Sequence, residues 1–142
     1  MSGSGDSLEV ATAMAHAKGL VVVQPGPCEL FVDIDDAESF ELFLQRWEFV
    51  QAAIGGSFEE RPSPSRKAHR RHIYVTLGRP VTDNAERILL QVLLGSDRLH
   101  EILSWCSHAR GCETPTLFFE KPEDVRAPPA DTAIPLLPMY EP

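Results

Sequence analysis

Two aspartates one residue apart, Asp33 and Asp35, close a short alternating stretch, Glu29-Leu30-Phe31-Val32-Asp33-Ile34-Asp35. Alternation is the period of a half-buried strand, with Leu30, Val32 and Ile34 turned to a core and the two aspartates sharing the other side. Neighbouring carboxylates repel unless a cation, a basic group or a proton lies between them. Mg²⁺ or Mn²⁺ fits that need: both prefer carboxylate oxygen and can bridge phosphate oxygens in phosphoryl or nucleotidyl transfer. The plainer alternative is a solvated strand end running into a helix cap at Asp36.

A second alternating run, Arg71-His72-Ile73-Tyr74-Val75-Thr76-Leu77, sets Ile73, Val75 and Leu77 on one face and His72, Tyr74 and Thr76 on the other. His72 could contact a phosphate or move a proton; the alternative is an ordinary surface histidine. The segment leading into it holds Arg61, Arg66, Lys67, Arg70 and Arg71, a large share of the 13 basic residues, with Ser63 and Ser65 as further donors. Positive charge beside paired acids suits a nucleoside triphosphate or a nucleic-acid backbone. A solubilising loop facing an acidic helix is the competing reading.

The elements that must position these groups follow from periodicity and punctuation. Residues 1–18 read as a flexible N-terminal segment or a short helix, and Leu20-Val21-Val22-Val23 as an edge strand before the turn Pro25-Gly26-Pro27. Residues 37–54 carry Phe40, Phe43, Leu44, Trp47, Val50 and Ile54 on one helical stripe, capped by Asp36 and ended by Gly55-Gly56. A polar strand at 57–61 precedes the run containing His72. Thr82 then opens a helix with Ala85, Ile88, Leu89, Val92 and Leu93 as its buried side. Ser96 or Asp97 caps another helix carrying Leu99, Ile102, Leu103 and Cys106, and 116–120 form a last strand.

That order predicts an α+β fold, a ferredoxin-like or RNA-recognition-motif-like βαββαβ sandwich with an antiparallel sheet, helices on one face and the other face open. Its first and third strands would be antiparallel neighbours, which brings His72 to the aspartates. Phe31, Tyr74 and Phe118 on the open face could stack bases or pack on another subunit. A single domain is expected over 19–121, followed at 122–142 by a proline-rich tail able to strap across the surface.

A net charge of −8 argues against a general nucleic-acid coat or an anionic-membrane binder, though not against a local basic site. The odd, irregular set Cys28, Cys106 and Cys112 predicts reduced thiols. No apolar run reaches membrane-spanning length and the start lacks a signal-like pattern, so no membrane partner and a cytoplasmic setting are expected. Cys106, His108 and Cys112 lack the paired spacing of a zinc site, and neither a Gly-rich phosphate loop nor a Ser-His-Asp signature is present.

The residues Phe31-Val32-Asp33-Ile34-Asp35 and His72-Ile73-Tyr74-Val75 together resemble the archaeo-eukaryotic primase superfamily, in the form of a small phage-type primase-polymerase core over roughly residues 29–120. In that family a hydrophobic strand ends in a metal-binding Asp-x-Asp, and a later strand carries a histidine that contacts the incoming nucleotide. The resemblance implies a divalent-metal-dependent nucleotidyltransferase, or a nucleotide- or nucleic-acid-binding protein, in DNA replication. Asp33 and Asp35 would hold Mg²⁺ or Mn²⁺, and Asp33, Asp35 and His72 would be catalytic. Ser65, Arg66, Lys67, Arg70, Arg71 and His72 would bind the triphosphate or single-stranded template.

Arg70 stands where the family commonly has a serine, two residues before the histidine, and Ser65 is the nearest serine upstream. For a third acid there are Asp97, which opens a helix, and Glu120, expected at the end of the last strand far from Asp35. The alternative from another class is a non-catalytic ferredoxin-like module, such as a phage accessory protein, that binds a protein partner or nucleic acid. A small metal-dependent nuclease is a third reading, and self-association or a replication-protein partner is compatible with each.

Overall fold

The computed structural model describes residues 4–65 and 67–125. The proline-rich tail beyond Val125 and the basic residue Arg66 therefore lie outside the described residues. The chain forms helix α1 (Ser4–Ala17), strand β1 (Val21–Val23), β2 (Glu29–Ile34), α2 (Ala37–Ile54), β3 (Gly56–Pro62), β4 (Arg71–Leu77), α3 (Asn84–Leu93), α4 (Arg98–Ala109) and β5 (Phe118–Glu120). The fold is mixed α+β with antiparallel sheets.

Local chemistry accounts for the element ends. The Asp36 carboxylate accepts from Ser39 N at 2.8 Å and starts α2, and Asp83 and Asp97 cap α3 and α4 in the same way. After α2 the backbone takes positive φ at Gly55 and Gly56. A Cβ on Gly56 would stand 2.1 Å from the Thr76 carbonyl oxygen, so glycine there lets β3 start hard against β4.

β2, β4 and β3 form a three-stranded sheet in that order, and Asp33 lies directly opposite His72 in the β2–β4 register. One face of this sheet meets α2. Leu30, Val32, Ile34, Ile73, Val75 and Leu77 pack there with Phe43, Trp47 and Leu94 in the main core. Alternation in both strands is what delivers this face.

The four-stranded sheet expected from the element order is not formed. β5 pairs with β1 instead, in a separate two-stranded ribbon with Phe119 opposite Val22. The physical reason lies at the free edge of β2, where α3 and the turn after it supply the hydrogen bonds a fourth strand would have made. Arg87 donates to the Glu29 and Gly26 carbonyls, the Gln91 amide oxygen accepts from Phe31 N, and Ser96 Oγ accepts from Asp33 N, all at 2.8–3.0 Å. Asp97 N donates to the Asp33 carbonyl at 2.7 Å. An edge covered by a helix is closed to further pairing.

The second face of the three-stranded sheet is therefore not open. Phe31, Tyr74 and Phe118 form a second, smaller core with Val23, so the β1–β5 ribbon lies over it. Phe118 stacks on Phe31 with centroids 4.6 Å apart. Base stacking on these rings, expected from the sequence, has no free surface to use.

α3 and α4 are turned inside out relative to their apolar stripes. Arg87 and Gln91 of α3 and Glu101 and Ser104 of α4 are buried, with Ile88, whereas Leu89, Val92, Leu93, Leu99, Ile102 and Leu103 are exposed. The polar residues face inward because the β2 edge requires donors and acceptors there. No described helix is long and apolar enough to cross a membrane.

Candidate functional site

The β2–β4 register puts Asp33 and His72 side by side, with His72 Nε2 3.9 Å from Asp33 Oδ1, beyond direct hydrogen-bond reach. The other ring nitrogen is occupied: Nδ1 lies 2.8 Å from Oε2 of Glu120, at the end of β5. A carboxylate can only accept, so Nδ1 carries the hydrogen and Nε2 is left toward Asp33. The Tyr74 hydroxyl donates to the same Glu120 oxygen, while Oε1 of this fully buried carboxylate has no hydrogen-bond partner. Phe118 stacks flat on the imidazole, which holds its plane.

A second histidine closes the other side. His100 Nδ1 is 2.9 Å from Glu101 Oε2 and Nε2 is 3.2 Å from the Leu117 carbonyl oxygen. Both neighbours are acceptors, so the protonated ring, with a hydrogen on each nitrogen, is the form that satisfies both. Burial pulls the His100 pKa down, but the bond and charge of Glu101, the charge of Asp33 and the Leu117 carbonyl outweigh it and raise the pKa. Glu101 also accepts from Gln91 and Ser96, at 2.9 and 2.7 Å. One buried network thus runs from the β2 edge through α3 and α4 to the approach of β5.

Burial raises the Asp33 carboxyl above the usual range, and Asp97 pushes the same way against His100, His72 and Arg70. Asp33, His72 and His100 line a cleft of about 430 Å³ with Ser63, Ser65, Arg70, Ser104, Ser107 and Phe118. In the loop, Ser63 and Ser65 hydroxyls lie 3.3 Å apart and Lys67 N donates to Ser65 Oγ at 3.4 Å.

The cleft brings together Asp33, His72, Ser65 and Arg70 of the residues singled out from sequence, and it separates the others. Asp35 lies past the end of β2 and pairs with Arg70 at 2.5 Å. Arg71 pairs with Glu60 at 2.7 Å and lies over the Phe40 ring, and Lys67 is exposed outside the cleft lining. Of the two aspartates, Asp33 lines the cleft and Asp35 is engaged by a guanidinium.

Among the described residues no group of three or more His, Cys, Asp or Glu could hold a metal ion. Glu120, expected far from Asp35, is the carboxylate that orients His72. Its place could not follow from a βαββαβ order, because β5 crosses the second face. His100 and Glu101 were hidden by the apolar stripe of their helix, although adjacent titratable residues within it were a usable signal.

Chemically, the cleft gathers a guanidinium paired with Asp35, an oriented imidazole and serine hydroxyls near His100, with Asp33 able to accept from a ligand hydroxyl. Comparison with known proteins adds no family: no family model, no curated protein and no solved structure matches the chain.

Proposed function

We propose that the cleft binds a phosphate-bearing ligand, a nucleotide or the end of a single-stranded nucleic acid, with Arg70 and His72 on the phosphate and Asp33 on a ligand hydroxyl. The observation that supports this most is the convergence of Asp33, Ser65, Arg70, His72 and His100 on one cleft, in a chain whose net charge is −8. Each of the basic groups there already faces an acid, Arg70 with Asp35, His72 with Glu120 and His100 with Glu101, so the phosphate would bind by taking a donor from a carboxylate. Arg70 would exchange its Asp35 partner for the phosphate, a trade between two charge-assisted bonds of similar strength. The metal-dependent nucleotidyl transfer implied by the primase resemblance is carried forward as an activity to assay, without a step assigned to a metal.

Titration calorimetry with a nucleoside triphosphate and with a short single-stranded oligonucleotide, each with and without Mn²⁺, tests the reading. Saturable binding weakened about tenfold or more in His72→Ala supports it. Binding only with Mn²⁺ and lost in Asp33→Asn would favour the metal-dependent form. No binding of either ligand would leave the non-catalytic protein-binding module, which the covering of Phe31 and Tyr74 by β5 also favours over base stacking.

A further inference from the structure

We infer that the outer face of the α3–α4 hairpin is a dimer interface occupied by a second copy of this chain. Amphipathic helices normally bury their apolar stripe, yet here the buried positions are Arg87, Gln91, Glu101 and Ser104, with Ile88 alone from the stripe. The apolar stripe faces out. Leu89 is 56%, Val92 47%, Ile102 56% and Trp105 51% exposed, and all four line an apolar groove of about 480 Å³ between the two helices. Leu93, one turn beyond Leu89, and Leu99, one turn before Ile102, extend the same surface and are also about half exposed.

At about 100 Å² for each half-exposed side chain, these positions present roughly 600 Å² of apolar surface. A standard interface needs about 800 Å² per partner, part of it a polar rim, so the patch is the right size for a stable dimer. It lies at the upper end of what the largest apolar patch of a monomer reaches, about 300–600 Å².

Geometry and charge favour a second copy over an unrelated partner. A hairpin of two packed helices with a groove between them is self-complementary about a twofold axis: a ridge of one copy enters the groove of the other and the four helices form a bundle. Glu38, Glu41 and Glu48 of α2 and Glu59 and Glu60 of β3 lie off this face, and Glu86, one turn before Leu89 on α3, is paired with Arg79 at 2.9 Å. The groove carries only Arg98 and the buried Glu101 as charged groups. The interface is independent of the phosphate cleft and of the function proposed for it.

Sedimentation equilibrium of the full chain over a wide concentration range tests the inference, alongside Leu89→Glu and Ile102→Glu. Both positions are exposed, so the variants keep the fold, and an unchanged far-ultraviolet circular dichroism spectrum checks this. The expected result is a dimer whose mass falls twofold in either variant, with Trp105 emission shifting to the red. A monomer at every concentration overturns the inference. So does a dimer that survives both substitutions, and so does a monomer in which Trp105 is protected from quencher, since that occupant would be the chain's own 126–142 segment.

Discussion

The imidazole of His72 and the ring of Phe118 lie face to face, with centroids 3.8 Å apart and planes within 7°. β4 and β5 belong to different sheets, so this stack, with Phe118 on Phe31 and Glu120 bonded to His72 and Tyr74, ties the β1–β5 ribbon to the sheet that carries Asp33. It also fixes which edge of His72 meets the cleft. Tertiary packing, and no local signal, orients the residue on which the proposed binding depends.

Glu120 should prove to be a strut of this arrangement. Replacing it with alanine removes the acceptor shared by His72 Nδ1 and the Tyr74 hydroxyl and leaves two buried donors unsatisfied, at a cost of about 2–4 kcal/mol. Glu120→Gln keeps an acceptor and should cost less. Urea denaturation of both variants, read by circular dichroism, checks the order. Equal stability of wild type and Glu120→Ala would show that the contact contributes nothing.

Gln91 bridges two partners, accepting from Phe31 N and donating to Glu101. Gln91→Leu keeps the volume but orphans a backbone donor on the edge of β2 and one bond of a buried carboxylate, so a loss of about 2–4 kcal/mol is expected. Hydrogen exchange should quicken first at Phe31, whose amide loses its acceptor. An unchanged midpoint in urea together with unchanged exchange would contradict the role given to α3.

Stability should fall as pH rises above about 6.5 because of His100. Its pKa is raised in the folded protein, so the folded state holds the proton more tightly than the unfolded chain does. The stabilisation is fully present below the unfolded value of about 6.5 and disappears as pH rises through the folded value. Asp33 is raised as well, so its contribution also declines with rising pH, in a window starting near the ordinary carboxyl range. Melting temperature against pH should show the decline above about pH 6.5 in wild type and lose it in His100→Asn. A decline of the same size in that variant would assign it to another group.

Much of the scaffold was legible because its signals are local. The α2 stripe, the Asp36 cap and the Gly55-Gly56 stop predicted a helix over 37–54, and Ala37–Ile54 is helical. Alternation around Ile73 and Val75 predicted β4, and pairing β2 with β4 set Asp33 opposite His72. The path of the last strand was not legible. It depends on Arg87, Gln91 and Ser96 satisfying the β2 edge, and their side chains look like the exposed face of an amphipathic helix. The same inversion hid His100 and Glu101. Asp35 illustrates the limit of a two-residue motif, since the sequence did not show that its neighbour in space is Arg70, with which it pairs.

The central claim is that His72 meets a phosphate in the cleft through Nε2, the nitrogen that Glu120 leaves open, with the imidazole doubly protonated so that Nε2–H donates to the phosphate oxygen. Nitrogen NMR of the histidine side chains during titration with a nucleoside triphosphate measures this directly. A saturable shift of His72 Nε2 is predicted, weakened in Arg70→Ala, with the His100 nitrogens moving less because both are already bonded. A His72 signal that does not move at saturating ligand, or that moves equally in Arg70→Ala, would contradict the account.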